Sequence, residues 1–471
     1  LIQPTAPNTL EGLTGRSFAA AAVALLVLAI LVMACRSKSP DGPWTMHVID
    51  DSATGADGVK LLDVNGDGLA DLVVPWETTS DVRVYLNPGS PGVNQNWPRV
   101  SVGRVKGPED AVLADLDGDG ATDVVSATEG SDVKGGNGIY VHWAPSRPSE
   151  YLDASRWTVE KIPVTLDENW IQANVFQVDG LHGLDIAAGS VDGIAKVVIL
   201  IAPADARDLG AWRENVIHRG GRKVMSLAPH DFDADGDLDL LVSVAVRRNS
   251  DSGVGWLENP GHGSLQEQTW TLHEIGARGE SAGFAGVGDL DGDGRDDVVA
   301  PLGDGLRWFR SLDALGREWE AHEVEIPTDA GGGKAACIAD ADGNGKNDIV
   351  ISRTWNPLGT WMSALLGYER WGVAWYDPAD EPTSSDWQIH NVSGPRGIKF
   401  DRIVLHDLDG DTDLDAVTTE EKVNGERGLG VVWYENPTLS PEPTSVEVGP
   451  KIAQPRFEAV GPRDASRSDQ R

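Results

Sequence analysis

The chain has 471 residues, a formal net charge of -35 at pH 7 and two cysteines, Cys35 and Cys337. The charge argues against nucleic acid or an anionic membrane surface as a partner of the folded part, and two cysteines exclude a fold organised by disulfides. Length alone allows two or three domains, but a repeat that runs almost from end to end argues for one large closed unit.

Residues 1–40 form a targeting segment and linker that stand apart from the fold. After Arg16 an apolar run extends from Phe18 to Ala34 and ends VMAC at Cys35, with the polar RSKSPDGP behind it. The run resembles a bacterial lipoprotein signal, which implies lipidation at Cys35. An uncleaved membrane anchor is the alternative, since the run approaches the ~18 apolar residues at which a span begins. Both readings predict an exported protein, membrane-anchored at the cell envelope or surface.

From Trp44 onward the pattern is all strand. Seven times a short apolar run ends in an Asp-rich turn and another apolar run follows, as in VKLL before Asp63 and LADLVV after it, which predicts a hairpin. A third strand comes next, often aromatic and closed by proline: VRVYLNP to Pro88, IYVHWAP to Pro145, VGWLENP to Pro260, VAWYDP to Pro378 and VVWYENP to Pro437. A fourth opens on tryptophan, at Trp44, Trp97, Trp157, Trp212, Trp270, Trp319 and Trp387. The turns begin at 63, 115, 177, 231, 289, 340 and 407, a spacing that suits four short strands each. The expected fold is an all-β, seven-bladed β-propeller spanning residues 41–437. The first Trp-led strand precedes the first Asp turn, and the last third strand has no Trp-led strand after it. Seven complete blades therefore require the N-terminal strand to close the last blade, which removes open sheet edges. In the first strand of each blade, positions two and four before the turn are apolar or small, from Leu61 and Val59 to Leu405 and Ile403, as burial between blades demands. Residues 438–471, rich in proline and polar side chains, read as a disordered tail.

Six of the seven turns place oxygen side chains at alternate positions, the spacing on which a hard cation such as calcium is held. They are DVNGDGLAD from Asp63, DLDGDGATD from Asp115, DFDADGDLD from Asp231, DLDGDGRDD from Asp289, DADGNGKND from Asp340 and DLDGDTDLD from Asp407. They are not EF-hands: position twelve, where a bidentate Glu belongs, is Val74 in the first copy and Ser126 in the second. The remaining copy, QVDGLHGLD from Gln177, has lost the ligand pattern, and no metal is expected there.

In series, these loops resemble the FG-GAP or VCBS repeat family, whose calcium loops occur in integrin-alpha propellers and in secreted bacterial proteins. The resemblance covers residues 44 to 437 and implies about six Ca2+ sites. By motif position the metal ligands are Asp63, Asn65, Asp67 and Asp71; Asp115, Asp117, Asp119 and Asp123; Asp231, Asp233, Asp235 and Asp239; Asp289, Asp291, Asp293 and Asp297; Asp340, Asp342, Asn344 and Asp348; and Asp407, Asp409, Asp411 and Asp415. A structural role is expected for the ions, because each would turn repulsion among crowded carboxylates into a clamp between strands one and two. Six ions would also offset about twelve units of the negative charge.

Ligand binding is expected on the opposite rim. There the sixth blade has an insert from Thr354 to Gly372 holding Trp355, Trp361, Tyr368 and Trp371; the fourth offers Arg247 and Arg248, and the seventh Glu420, Glu421, Lys422 and Arg427. Asp57, Glu109, Lys223, Glu280, Lys334, Lys399, Asp401 and Arg402 stand where first strands begin, near the mouth of the central channel. Exposed aromatics among mixed charges suit a sugar or a peptide. His47, His273, His322 and His390 each follow a strand-four tryptophan by three residues and belong to the repeat. No nucleophile elbow, phosphate loop or zinc motif occurs. The function expected is noncatalytic binding of a glycan or protein ligand by a monomer; the alternative is a propeller enzyme of polysaccharide or sugar breakdown, a lyase or dehydratase.

Overall fold

The computed structural model describes residues 42–130, 136–191, 193–245, 252–261, 269–303, 305–326, 332–354, 371–378, 382–384, 386–421 and 428–437. The segment expected to target the chain, with Cys35, the stretch from 438, and Arg247, Arg248, Trp355, Trp361, Tyr368, Lys422 and Arg427 lie outside the described residues. No helix of the described residues is long and apolar enough to cross a membrane.

Pairing of the described strands is antiparallel and groups them in fours. The first blade is Lys60–Leu62, Asp71–Trp76, Asp81–Tyr85 and Arg99–Gly103, and the second is Pro108–Ala114, Asp123–Thr128, Ile139–Trp143 and Thr158–Lys161. The third and fourth, Asn169–Arg219 and Lys223–Gly276, are joined into one eight-stranded sheet by the single pair Val191↔Lys223. The fifth runs from Gly286 to Val324 and the sixth from Gly332 to Asn391. The seventh takes three strands from the C-terminal end, Phe400–His406, Asp415–Glu420 and Gly430–Glu435, and its fourth, Thr45–Asp50, from the N-terminal end. The ring closes as the strand count required.

Burial explains the strand sequences. Second strands are covered on both faces by neighbouring blades, so Asp71–Trp76, Asp123–Thr128, Asp297–Leu302 and Asp415–Glu420 are buried at every position. A continuous apolar run is the consequence. Outer strands face water: in Thr158–Lys161 three of four residues are exposed. The apolar residues sort into seven clusters, one at each junction between blades. The cluster closing the ring packs Val59, Leu72 and Val74 of the first blade against Leu408, Val417 and Trp433 of the seventh. Leu61, Ala111, Leu113, Ala173, Val175, Ala336, Ile338, Ile403 and Leu405, the alternating first-strand positions, all lie in such clusters.

The four repeat histidines are cross-strand partners of third-strand tryptophans. His47 stacks on Trp433, His273 on Trp256, His322 on Trp308 and His390 on Trp375, with ring centroids 3.8–4.6 Å apart. Each pair sits directly opposite in the register. Such aromatic pairs are a unit of sheet stabilisation, which accounts for these residues without chemistry.

Candidate functional site

The Asp loops join first and second strands at one end of the ring. Each turns tightly enough to need left-handed backbone at its fourth and sixth positions, supplied by Gly66 and Gly68, Gly118 and Gly120, Gly292 and Gly294, and Gly343 and Gly345. Ala234 and Thr412 adopt the same left-handed conformation in the other two. The first Asp accepts from the backbone N–H of position six in all six loops, as in Gly68 to Asp63 at 2.9 Å and Gly345 to Asp340 at 2.8 Å. Carboxylate oxygens at positions one, three and nine gather within 4.8 Å of one another in the loops from Asp115, Asp231, Asp289 and Asp340. That spread fits oxygens on one calcium ion. The buried Oδ1 atoms of Asp115, Asp231 and Asp233 have no hydrogen-bond partner. Arginines take up other ligand oxygens: Arg207 Nε meets Asp117 and Arg310 Nε meets Asp291, both at 2.5 Å. A donor set of carboxylates with orphaned inner oxygens fits a hard divalent cation.

The ninth position has a second task that the sequence reading missed. In every blade this Asp is buried, and its Oδ2 accepts the N–H of the second loop residue at 2.9–3.2 Å. In six blades its Oδ1 accepts an N–H from a residue at the end of the third strand or one or two places beyond it, at 2.7–3.0 Å. The degraded third copy keeps both bonds through Asp185. There the Gln177 side chain replaces a ligand carboxylate, donating to the carbonyls of Leu181 and Gly183 and accepting from the N–H groups of Asp179 and Gly180. In the sixth blade Asp348 Oδ1 has no partner, and Asp377 adds a like charge nearby. Burial pushes the ninth carboxyls up, Asp71 and Asp297 to about 6 and Asp348 and Asp415 to about 8. Asp413, also unforeseen, adds a carboxylate whose two oxygens lack hydrogen-bond partners in the last loop.

At the opposite end the first strands converge on a cavity of about 270 Å³. It is built by register. The residue six places before each Asp turn is Asp57, Glu109, Ile171, Met225, Gly283, Lys334 or Asp401, and six of these seven line the cavity. Phe284, one residue on, lines it for the fifth blade. The residue fourteen places after the start of each turn is Glu77, Glu129 and Glu421 in the first, second and seventh blades, and these line it too. Because the seventh blade abuts the first, both registers are acidic on three consecutive blades, and in the other four neither is. Lys223, Lys334, Lys399 and Arg402 complete the wall.

The lysines are committed to part of this arc. Lys334 Nζ lies 3.1 Å from Asp401 Oδ1, Lys223 Nζ lies 3.7 Å from Glu129, and Lys399 pairs with Glu421. Arg402 reaches Gln172, stands 3.9 Å from Asp110 and covers the Phe284 ring at 4.6 Å. Below the mouth Lys60 donates to Asp110 at 2.8 Å and to the Ala173 carbonyl at 2.7 Å, and burial lowers its pKa to about 8. Burial, then the charge of Asp401, raises Asp57 to about 7; burial, then Asp57 and Glu129, raises Glu109 to about 9.

The FG-GAP-like repeat profile matches residues 43–126, 231–300 and 289–351. The matched stretches are FG-GAP-like repeats. They carry five of the six intact Asp loops and pass over the third blade, where Gln177 has displaced the pattern. No curated protein matches the chain. Among solved structures, a lectin from Agrocybe aegerita that recognises non-reducing terminal N-acetylglucosamine is 15% identical with a TM-score of 0.41, covering 72% of this chain and 81% of its own. BBS1N in complex with ARL6DN is 11% identical with a TM-score of 0.48, covering 85% and 98%. YCF48 from Cyanidioschyzon merolae is 9% identical with a TM-score of 0.47, covering 83% and 98%.

Of the rim residues expected to bind a ligand, the ring brings together Asp57, Glu109, Lys223, Lys334, Lys399, Asp401, Arg402 and Glu421. Others lie elsewhere. Trp371 is partly buried against the cluster between the fifth and sixth blades, because an indole beside that junction gains more by covering it than by facing water. Glu280 pairs with Arg307 at 2.6 Å. Glu420 is a buried acceptor for the N–H groups of Ile398 and Leu429. Glu77, Glu129, Gln172 and Phe284 escaped the sequence reading, although aligning the repeats at fixed distances from each Asp turn would have found the two glutamates.

Proposed function

We propose that the protein is an exported, calcium-stabilised, noncatalytic propeller that binds a glycan or protein ligand through the channel mouth opposite its Asp loops. Calcium would be held by the six loop ligand sets, and the N-terminal segment, through lipid on Cys35 or as an anchor, would tether the ring to the cell envelope as a monomer. One observation carries the binding reading. The Asp loops are nearly the same in six blades, as a structural staple should be, whereas the channel-mouth registers differ from blade to blade and enclose a cavity rich in charge. A site that must tell one ligand from another needs such broken symmetry. Lysines already paired with carboxylates also favour recognition over turnover, since neither His nor Tyr is among the described residues lining the cavity.

Glycan-array screening of the calcium-loaded protein, followed by incubation with any glycan retained, tests this. Binding without turnover, weakened at least tenfold in Arg402→Ala, is the expected result. Release of unsaturated products from uronic-acid polymers would replace the binding reading with the lyase alternative.

A further inference from the structure

Two of the six intact Asp loops carry a cation supplied by the chain itself. Arg207 lies between the third and fourth strands of the third blade, yet it reaches the loop of the second. Its Nε donates to Asp117 Oδ2 at 2.5 Å and its Nη2 stands 3.7 Å from Asp119 Oδ2. Arg310, in the third strand of the fifth blade, meets the loop of its own blade. Its Nε lies 2.5 Å from Asp291 Oδ2, and its Nη2 donates to Asp293 Oδ2 at 3.3 Å. Both guanidinium groups thus cover the carboxylates at positions three and five. The other oxygen at position three is engaged as well, because Asp117 Oδ1 accepts the Asp119 N–H at 3.1 Å and Asp291 Oδ1 the Asp293 N–H at 3.2 Å.

The contacts are built into the fold. Arg207 lies over the Trp143 ring of the second blade at 4.5 Å, and its backbone N–H donates to the Asp205 carboxylate at 3.0 Å. The side chains of Asp117 and Asp291 are 7% and 9% exposed, so water screens these pairs less than it would on an open surface. Two other loops differ. In the seventh blade, Asp409 at position three accepts only the Asp411 N–H, at 3.2 Å, among the described residues. In the fourth, Asp233 Oδ1 is buried without a partner, and Arg317 stands 4.0 Å from its Oδ2 but 3.4 Å from Glu258.

We propose that Arg207 and Arg310 compete with calcium for the carboxylates of the second and fifth loops, so that these loops fill at higher calcium concentrations than the fourth and seventh. Asp117 has one oxygen on a backbone N–H and the other on Arg207, so it can ligate a cation only by giving up the guanidinium, and it then does so beside a fixed positive charge. Releasing one hydrogen bond to a charged group weakens binding by about tenfold. In return, each arginine offsets the mutual repulsion of its loop carboxylates when calcium is scarce. The second and fifth loops therefore hold their shape at low calcium, while the fourth and seventh depend on the ion. The inference rests on the loops being calcium sites and concerns which of them fill first.

Calorimetric titration of the full chain with Ca2+, paired with melting in chelator, tests the inference. The parent should bind its ions in more than one step. Arg207→Ala and Arg310→Ala should each tighten one ion of the weaker step about tenfold, and each should melt below the parent in chelator, where its loop has lost its own counter-ion. Arg207→Lys and Arg310→Lys keep the charge but lose the fork, and should tighten the same ions by a smaller factor. Calcium affinities that are unchanged or weaker in the folded variants would overturn the inference alone, the weaker case by showing that the arginines hold ligands in place for the ion. A parent that binds no calcium would overturn the calcium reading together with it.

Discussion

Asp185→Ala isolates the hydrogen-bonding task of the ninth carboxylate from metal binding, because its own loop has lost the ligand pattern. The side chain is fully buried and accepts the Val178 N–H at 3.0 Å and the Ala202 N–H at 2.8 Å. Alanine leaves two buried donors unsatisfied, at about 1–3 kcal/mol each. Relief of the buried carboxyl, whose pKa burial raises to about 7, returns part of that, so the expected net loss is about 2–4 kcal/mol. Unfolding entropy of ~2 cal/mol/K per residue over a ring of this size converts the loss to a fall in Tm of about 3–5 °C. Melting followed by circular dichroism should give the same fall with calcium or with chelator. Asp239→Ala, in an intact loop, should match it in chelator and fall further with calcium. The reasoning fails if Asp185→Ala melts with the parent, or if its deficit depends on calcium.

Other perturbations follow from the same geometry. Thr412 is held at φ 87 where the other intact loops have glycine, so Thr412→Gly should raise stability by about 1 kcal/mol, read as a higher denaturation midpoint; no gain would mean the turn is unstrained. Ion-free protein should lose stability as pH rises. The ninth carboxyls have folded pKa values raised above the ordinary 3.8 to between about 6 and about 8, so the folded state holds their protons more tightly than the unfolded chain. Their contribution is greatest below about pH 4 and is lost by about pH 8, so chelated samples should melt lower at about pH 8 than at about pH 5, with calcium reducing the difference; the opposite slope would contradict it. Deleting the strand Thr45–Asp50 should expose the edge Gly430–Glu435 and remove the His47–Trp433 stack, giving lower melting and self-association by light scattering. A deletion as stable and monomeric as the parent would mean that the ring does not need this closure.

Much of the architecture was legible because burial writes itself into a repeat. Alternation before each Asp turn marked the first strands, continuous apolar runs marked the second, and the unmatched Trp44 strand forced closure through the seventh blade. The loops were legible as donor sets for the same reason: oxygen side chains at alternate positions have few other uses in series. What was hidden is what depends on contact between distant positions. The double hydrogen bond of Asp71 and its counterparts joins residues up to twenty-one apart, and nothing in the motif separates that task from ligation. The ion pairs of Lys334 with Asp401 and Glu280 with Arg307 decide which rim charges face the cavity, and only the fold brings them together. Trp371 illustrates the same limit, since aromatic residues near an insert suit a ligand or a blade junction equally well until the junction is seen.

The central claim is that the Asp loops bind calcium and thereby hold the ring together, and thermal melting across a calcium titration with a chelator control addresses it most directly. Ions that bind only the folded state stabilise it by mass action, about 1.4 kcal/mol per site at a tenfold excess over Kd. Six such sites give about 8 kcal/mol, or a rise in Tm of about 10 °C for this ring, lost again on chelation. A melting temperature indifferent to both calcium and chelator would contradict the account.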